Sequence, residues 1–222
     1  MKIPKVKSVI RSEHVMRIIK GKSILHIGVG GATYDPALRE KFLAADISSW
    51  FHSKIATEAR HITTLEIDQE NIDKYSQHIP GVYIKGDITD TDVLKKFRGI
   101  KFELIVFTEI LEHLNNFHNA FLSIQGLLAP GGKVVITTPN AFSIFLFFKM
   151  LWWNETCHSE HTSYFSYVTI KRLLSLNDFQ VESFMYCYDL PKATIWRAVK
   201  YIQAKILPQY SQGIFVVASR IN

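Results

Sequence analysis

Two histidines in this 222-residue chain, His113 and His161, are the side chains best suited to take a proton near neutral pH. His113 closes the run Glu109-Ile110-Leu111-Glu112-His113, in which Glu109, Glu112 and His113 stand at i, i+3 and i+4. On a helix that spacing puts all three on one face. With His161 they make two carboxylates and two imidazoles, able to move protons or to hold a divalent cation. Mg²⁺ prefers oxygen to imidazole, so no metal is expected; a bound one would take Glu109, Glu112, His113 and His161 as ligands. His113 and His161 are the catalytic candidates, and His158 beside them reads as a loop residue.

A second constellation lies nearer the amino end. Ser23-Ile24-Leu25-His26-Ile27 reads as a short apolar strand entering the turn Gly28-Val29-Gly30-Gly31-Ala32. Small residues let the backbone turn tightly and approach a ligand, although dinucleotide-binding enzymes share such turns. The following strand ends narrow the choice. Leu65-Glu66-Ile67-Asp68 places a carboxylate where it can accept hydrogen bonds from both ribose hydroxyls, and Lys85-Gly86-Asp87-Ile88 offers another where an adenine amino group could lie. Singly, each acid also suits a surface turn or helix cap. Together, three strand ends in this order point to one nucleotide-like ligand.

The elements that must position these residues alternate along the chain. Val9, Ile10, Val15, Ile18 and Ile19 predict an opening amphipathic helix ending near Gly21. After the first strand come a helical region over 36–60, a strand over 62–67, a helix over 69–78 and a strand over 82–84. Phe102-Glu103-Leu104-Ile105-Val106-Phe107 is a continuous apolar strand of the kind buried in parallel sheets. A helix over 110–128, stopped by Pro130-Gly131-Gly132, leads to a fifth strand over 133–137. Two further strands, 181–188 and 214–219, flank a helix with Ile195, Val199, Ile202 and Ile206 on one face. This order predicts an α/β fold: a Rossmann-like, doubly wound sheet of about seven mostly parallel strands with a C-terminal antiparallel hairpin, helices on both faces, and one domain over residues 1–222.

Composition excludes several classes. With 47% hydrophobic and 21% charged residues, a sizeable core can form and wholesale disorder is ruled out. Cys157 and Cys187 are too few for a disulfide framework, the first fourteen residues hold no apolar run of signal-peptide length, and the most apolar stretch, residues 142–153, is too short to span a bilayer. A cytoplasmic setting is expected. The net charge of +6 is gathered at the ends: residues 1–22 read as a basic helix, and no acid follows Asp189. Such ends suit an anionic substrate, a membrane surface or a nucleic acid, or are solvated helix faces.

The motifs resemble those of class I S-adenosylmethionine-dependent methyltransferases, in particular the type 11 and type 23 groups. ILHIGVGGA resembles their first motif, TLEIDQENI their ribose-binding acidic motif and KGDITD their adenine-side motif. TEILEHLNN and LLAPGGKVVITTPN are similar to their fourth- and fifth-strand signatures, and HTSYFSYVTIKRLLSLNDFQVESF to their substrate-side segment. The resemblance implies S-adenosyl-L-methionine as donor, with S-adenosyl-L-homocysteine as product. It places Gly28, Val29 and Gly30 at the amino-acid and ribose side, Glu66 on the ribose hydroxyls and Ile67 against the adenine. Asp87 and Ile88 would meet the adenine edge, and Thr108 and Glu109 would line the floor beside the sulfonium. His26 departs from the acid usual at its position, Ala32 replaces a third glycine, and Asp178 stands where glycine is usual. Residues 141–165 would form an acceptor-side lid, whose Phe and Trp suit an apolar acceptor, a peripheral membrane contact, core packing or a dimer contact.

The ExxEH…H pattern is also similar to the magnesium site of small-RNA 3′-terminal 2′-O-methyltransferases, and partly to that of ubiquinone-pathway O-methyltransferases. The leading expectation is O-methylation of a sugar, a lipid-linked glycan precursor or a small-metabolite hydroxyl. RNA 3′-end 2′-O-methylation and donor binding without catalysis are the alternatives. No RNA-binding module is recognisable, so a nucleic-acid partner is not expected; an oligomer stays open.

Overall fold

Leu25 and Ile27 face one side of their strand while Ile24 and His26 face the other, and all four are buried. Only a sheet covered on both faces buries both sides of a strand. In the computed structural model, residues 7–29, 51–153, 158, 160–190 and 194–221 are described. Gly30, most of the helical region expected over 36–60, and Cys157 lie outside them.

Among the described residues, eight strands make one sheet: β1 (Ser8–Ile10), β2 (Ser23–Ile27), β3 (His61–Glu66), β4 (Val82–Lys85), β5 (Phe102–Thr108), β6 (Leu128–Pro139), β7 (Phe179–Tyr188) and β8 (Gly213–Arg220). Their order is β1-β7-β8-β6-β5-β2-β3-β4. All neighbours are parallel except β8, which runs antiparallel to both β6 and β7. The chain lays β3 and β4 on one side of β2, then crosses back to place β5 and β6 on the other. The reversal falls between β2 and β5, which is where open α/β sheets bind ligands.

Seven α-helices are described, α1 (Arg11–Ile19), α2 (Phe51–Glu58), α3 (Gln69–Ser76), α4 (Phe117–Leu127), α5 (Ile144–Trp153), α6 (Tyr167–Leu176) and α7 (Thr194–Ile206), with 3-10 turns at Thr91–Phe97, Leu111–His113 and Pro208–Tyr210. One face of the sheet packs Leu25, Ile27, Ile105 and Phe107 against Phe121 and Ile124 of α4 and Ile170 and Leu174 of α6. The other packs Ile24, Leu104 and Val106 against Val15 and Ile19 of α1 and Ile55 of α2. Truncating a fully buried ring such as Phe121 to alanine costs about 3–5 kcal/mol in cores of this kind.

Three local features differ from expectation. Residues 8–10 form a strand before the first helix, because Ser8, Val9 and Ile10 find a parallel partner in Tyr186, Cys187 and Tyr188. The helix expected over 110–128 is two elements, a 3-10 turn at Leu111–His113 and then α4. Leu114 is extended between them, and Asn116 caps α4 by accepting from the Asn119 N–H at 3.1 Å. Finally, the apolar face of α7 exists but points outward. Asp178, with φ +60, takes the left-handed conformation that aspartate tolerates better than most residues.

Candidate active site

The turn after β2 is built for close approach. Gly28 has φ +68, and a Cβ there would lie 2.3 Å from Ile110 Cδ1, so only glycine fits unstrained. Its N–H donates to the Leu65 carbonyl at 2.9 Å, tying the tip of β2 to that of β3. Val29 is gripped from two sides. Its N–H donates to Glu66 Oε2 at 2.9 Å, and its carbonyl accepts from the Tyr75 hydroxyl of α3 at 3.0 Å. Glu66 Oε1 accepts from the Asp68 N–H at 3.0 Å. Burial raises the Glu66 carboxyl above its ordinary value, and the Val29 and Asp68 amides offset part of that. Those two amides hold the carboxylate at the tip of β3, against the turn after β2.

Beside Glu66, Ile67 is 56% exposed and offers an apolar surface at the tip of β3. Asp87, beyond β4, accepts from the Thr89 N–H at 2.8 Å and so also shapes its own turn. Ile88 is placed differently from Asp87: its side chain is buried with Leu65 and Val93, leaving its main chain to meet a ligand. A tight glycine turn, a carboxylate one strand over and an exposed apolar side chain fit an adenosyl group at the β2/β5 reversal. The open depression of about 580 Å³ beside Lys22, Glu103 and Gly131 lies at the opposite, amino end of these strands.

His26 leads into a hydrogen-bonded chain whose directions follow from its far end. The Tyr83 hydroxyl donates to the Ile79 carbonyl at 3.1 Å, so its oxygen accepts from His52 Nε2–H at 3.3 Å. His52 Nδ1 is then bare and accepts from His26 Nδ1–H at 2.8 Å. His26 Nε2 in turn accepts from the Thr108 hydroxyl at 3.1 Å, across the β2/β5 reversal. Both rings are neutral: burial and the neighbouring His52 hold His26 far below the usual imidazole range, and burial brings His52 down to about 4. The Thr108 proton is committed inward, so its oxygen offers lone pairs to the site.

Glu109 does not share a helical face with Glu112 and His113. Its φ of +55 turns the chain as β5 ends, and its carboxylate meets Arg11 Nη1 at 2.8 Å and the Thr137 hydroxyl at 3.0 Å. Arg11 also holds Asp189 beyond β7, donating to its Oδ1 at 3.2 Å. Burial would lower the Arg11 guanidinium, but the Glu109 and Asp189 carboxylates outweigh it and raise it.

Glu112, His113 and His161 are brought together, with one ligand-type atom from each within 4.8 Å of the others. Glu112 is 1% exposed; its Oε2 accepts from the Thr138 hydroxyl at 2.9 Å, while Oε1 stands 4.0 Å from His161 Nε2. Neither Glu112 Oε1 nor His161 Nδ1 has a hydrogen-bond partner among the described residues. The His113 and His161 rings meet edge to face with centroids 4.7 Å apart. Burial raises the Glu112 carboxyl, with the Glu109 carboxylate adding to the shift. Burial and neighbouring imidazoles lower both histidines, His161 to about 4. Near neutral pH the cluster thus pairs two uncharged imidazoles with a carboxyl that holds its proton unusually well. One carboxylate and two imidazoles suit a transition ion better than Mg²⁺.

Arg11, His52, Tyr75, Tyr83 and Thr138 were not found from sequence. Thr138 carried a signal, lying inside the LLAPGGKVVITTPN motif, whereas the others meet the site only through tertiary contacts.

Residues 13–183 match a family model described as a methyltransferase domain, of type 23. No curated protein matches the chain. Among solved structures, a SAM-dependent methyltransferase from Archaeoglobus fulgidus is similar at 15% identity and TM-score 0.58, over 94% of this chain and 90% of that one. The N-methyltransferase NodS from Bradyrhizobium japonicum WM9 is similar at 16% identity and TM-score 0.54, over 96% and 95%. The DhpI–SAH complex is similar at 12% identity and TM-score 0.57, over 95% and 82%. With the matched stretch spanning the glycine turn, Glu66, Asp87 and the Glu112–His113–His161 cluster, the chain belongs to the S-adenosylmethionine-dependent methyltransferase-domain family.

Proposed function

We propose that this methyltransferase acts on a hydroxyl oxygen, carried by a sugar, a lipid-linked glycan precursor or a comparable small metabolite. The observation that carries this reading is buried Glu112 4.0 Å from half-buried His161, with a polar atom on each that has no partner among the described residues. An amine acceptor needs only its free lone pair, whereas a hydroxyl must lose a proton as its oxygen becomes methylated. A neutral imidazole is the side chain for that task.

When bound, S-adenosylmethionine supplies an already activated methyl group, so the chain's work is positioning and proton removal. Gly28 and Val29, with Gly30 beyond the described residues, form the turn against the donor. Glu66 accepts from the ribose hydroxyls, Ile67 lies against the adenine, and Asp87 with the Ile88 main chain meets its edge. Thr108 and Glu109 form the floor. His161 takes the acceptor's proton, Glu112 stands 4.0 Å from His161 Nε2, and His113 holds the His161 ring edge-on. Residues 141–165 serve as the lid on the acceptor side.

A transfer assay with methyl-labelled donor and paired hydroxyl and amine acceptors tests this. Label is expected only on hydroxyl acceptors. His161→Ala is expected to cut turnover about 100-fold or more while leaving product affinity within about twofold. Transfer confined to amines, or equal loss of turnover and affinity, would overturn the assignment.

A further inference from the structure

Two helices at the ligand end of the sheet turn apolar faces to solvent. On α5, Phe147, Leu151 and Trp152 are 57%, 60% and 69% exposed. On α7, Ile195, Ile202 and Ile206 are 73%, 54% and 70% exposed. The helices touch: Lys200 Nζ of α7 lies 5.5 Å from the centroid of the Phe145 ring of α5. Each helix thus carries an exposed apolar face that water alone covers at considerable cost.

Charge identifies what suits that surface. Lys149, Arg197, Lys200 and Lys205 lie on the two helices, while residues 142–153 and 190–222 contain no Asp or Glu. A second copy packed on this face would set lysines against lysines, since Asp189, the acid that acts on Lys200, is already held by Arg11. Lysine is also depleted from protein–protein contacts. Apolar side chains and basic ones on the same two helices, with the exposed amphipathic rings of Trp152 and Tyr201, match an interface where hydrocarbon begins beneath anionic headgroups. No described helix is long and apolar enough to cross a bilayer, which leaves contact in the interfacial plane.

Topology places this face beside the site. α5 follows the carboxyl end of β6, and α7 precedes the start of β8; Pro139 and Gly213 pair across those two ends. The tips carrying Gly28, Glu66 and Thr108 lie at that same end of the parallel strands.

We propose that α5 and α7 form a docking face for an anionic phospholipid bilayer, and that the acceptor hydroxyl is presented from that bilayer on a lipid-anchored molecule. The docking half stands on the exposed faces and their charge. The acceptor half rests on the O-methyltransferase reading above.

Flotation of the full chain with vesicles of phosphatidylcholine alone, and of phosphatidylcholine with 30% phosphatidylglycerol, tests the docking half. Binding to the anionic vesicles is expected, weak on the neutral ones and falling as salt rises. Lys149→Gln with Lys205→Gln is expected to weaken it about fivefold per charge. Ile195→Ser with Ile202→Ser is expected to weaken it more than tenfold, with product affinity and circular dichroism unchanged. No flotation of the wild type, or equal flotation of the variants, would overturn docking. So would a concentration-dependent dimer, or salt-sensitive binding to an RNA oligonucleotide, that these same variants abolish. Lipid-extract acceptors labelled by the wild type but not by the Ile195/Ile202 variant support the acceptor half; equal labelling overturns it. Product titration of the wild type separates the readings, since lost product binding bears on methyl transfer and leaves flotation standing.

Discussion

Replacing His52 by glutamine should flatten the acid limb of the stability curve. His52 is 1% exposed, and burial brings its pKa down from 6.5 to about 4. The unfolded chain therefore takes up a proton at this residue well before the folded chain does. The stability contributed by a neutral His52 is fully present above pH 6.5 and is lost as pH falls toward 4. Between pH 7 and 4.5 the loss works out at about 2 kcal/mol. His26 shifts in the same direction and deepens it. Glutamine at position 52 can still accept from His26 Nδ1–H and donate to the Tyr83 hydroxyl, but it does not titrate. Urea titrations at pH 7 and 4.5 read the difference. His52→Gln should recover about 2 kcal/mol of the wild-type loss at pH 4.5, while His52→Ala should be destabilised at both pH values by an orphaned donor and a cavity. If His52→Gln keeps the wild-type pH difference, His52 is not the buried neutral imidazole placed in the Thr108–His26–His52–Tyr83 chain.

Gly28→Ala should lose about 1–3 kcal/mol in the same urea assay, from the φ of +68 and the 2.3 Å approach to Ile110 Cδ1, and should weaken product binding with it; unchanged affinity would separate the turn from the ligand. Arg11→Ala, read by thermal melting, should cost about 1–2 kcal/mol, because Glu109 and Asp189 lose their shared cation while remaining partly solvated. Arg11→Lys should recover only part of this, one ammonium being unable to span both carboxylates as the guanidinium does. EDTA should leave turnover unchanged, and restoration of a chelated enzyme by Mn²⁺ or Zn²⁺ would instead assign Glu112, His113 and His161 to a metal.

The sheet was largely legible because its information is local. Apolar runs such as residues 102–107, ended by glycine or by an acid, give the strands and, through their alternation with helices, the parallel order. The tips Gly28, Glu66 and Asp87 could be placed for the same reason. What escaped depends on distant partners. Residues 8–10 become a strand only because Tyr186–Tyr188 lie beside them, in a segment otherwise patterned as helix. The break at Leu114 overrode a helical apolar pattern because Asn116 starts a helix of its own. The left-handed Glu109 undid the i, i+3, i+4 reading and gave its carboxylate to Arg11. His26, a departure from the family motif in sequence, makes sense once His52 is seen to complete a neutral pair beneath Thr108.

The strand tips at the β2/β5 reversal are tested most directly by calorimetric titration of S-adenosyl-L-homocysteine into the wild type and Glu66→Ala. One site per chain is expected in the wild type, with affinity about 10- to 100-fold weaker in the variant from the lost charge-assisted ribose contacts, and circular dichroism unchanged. Equal affinity in the two proteins would show that the adenosyl group does not meet the tip of β3.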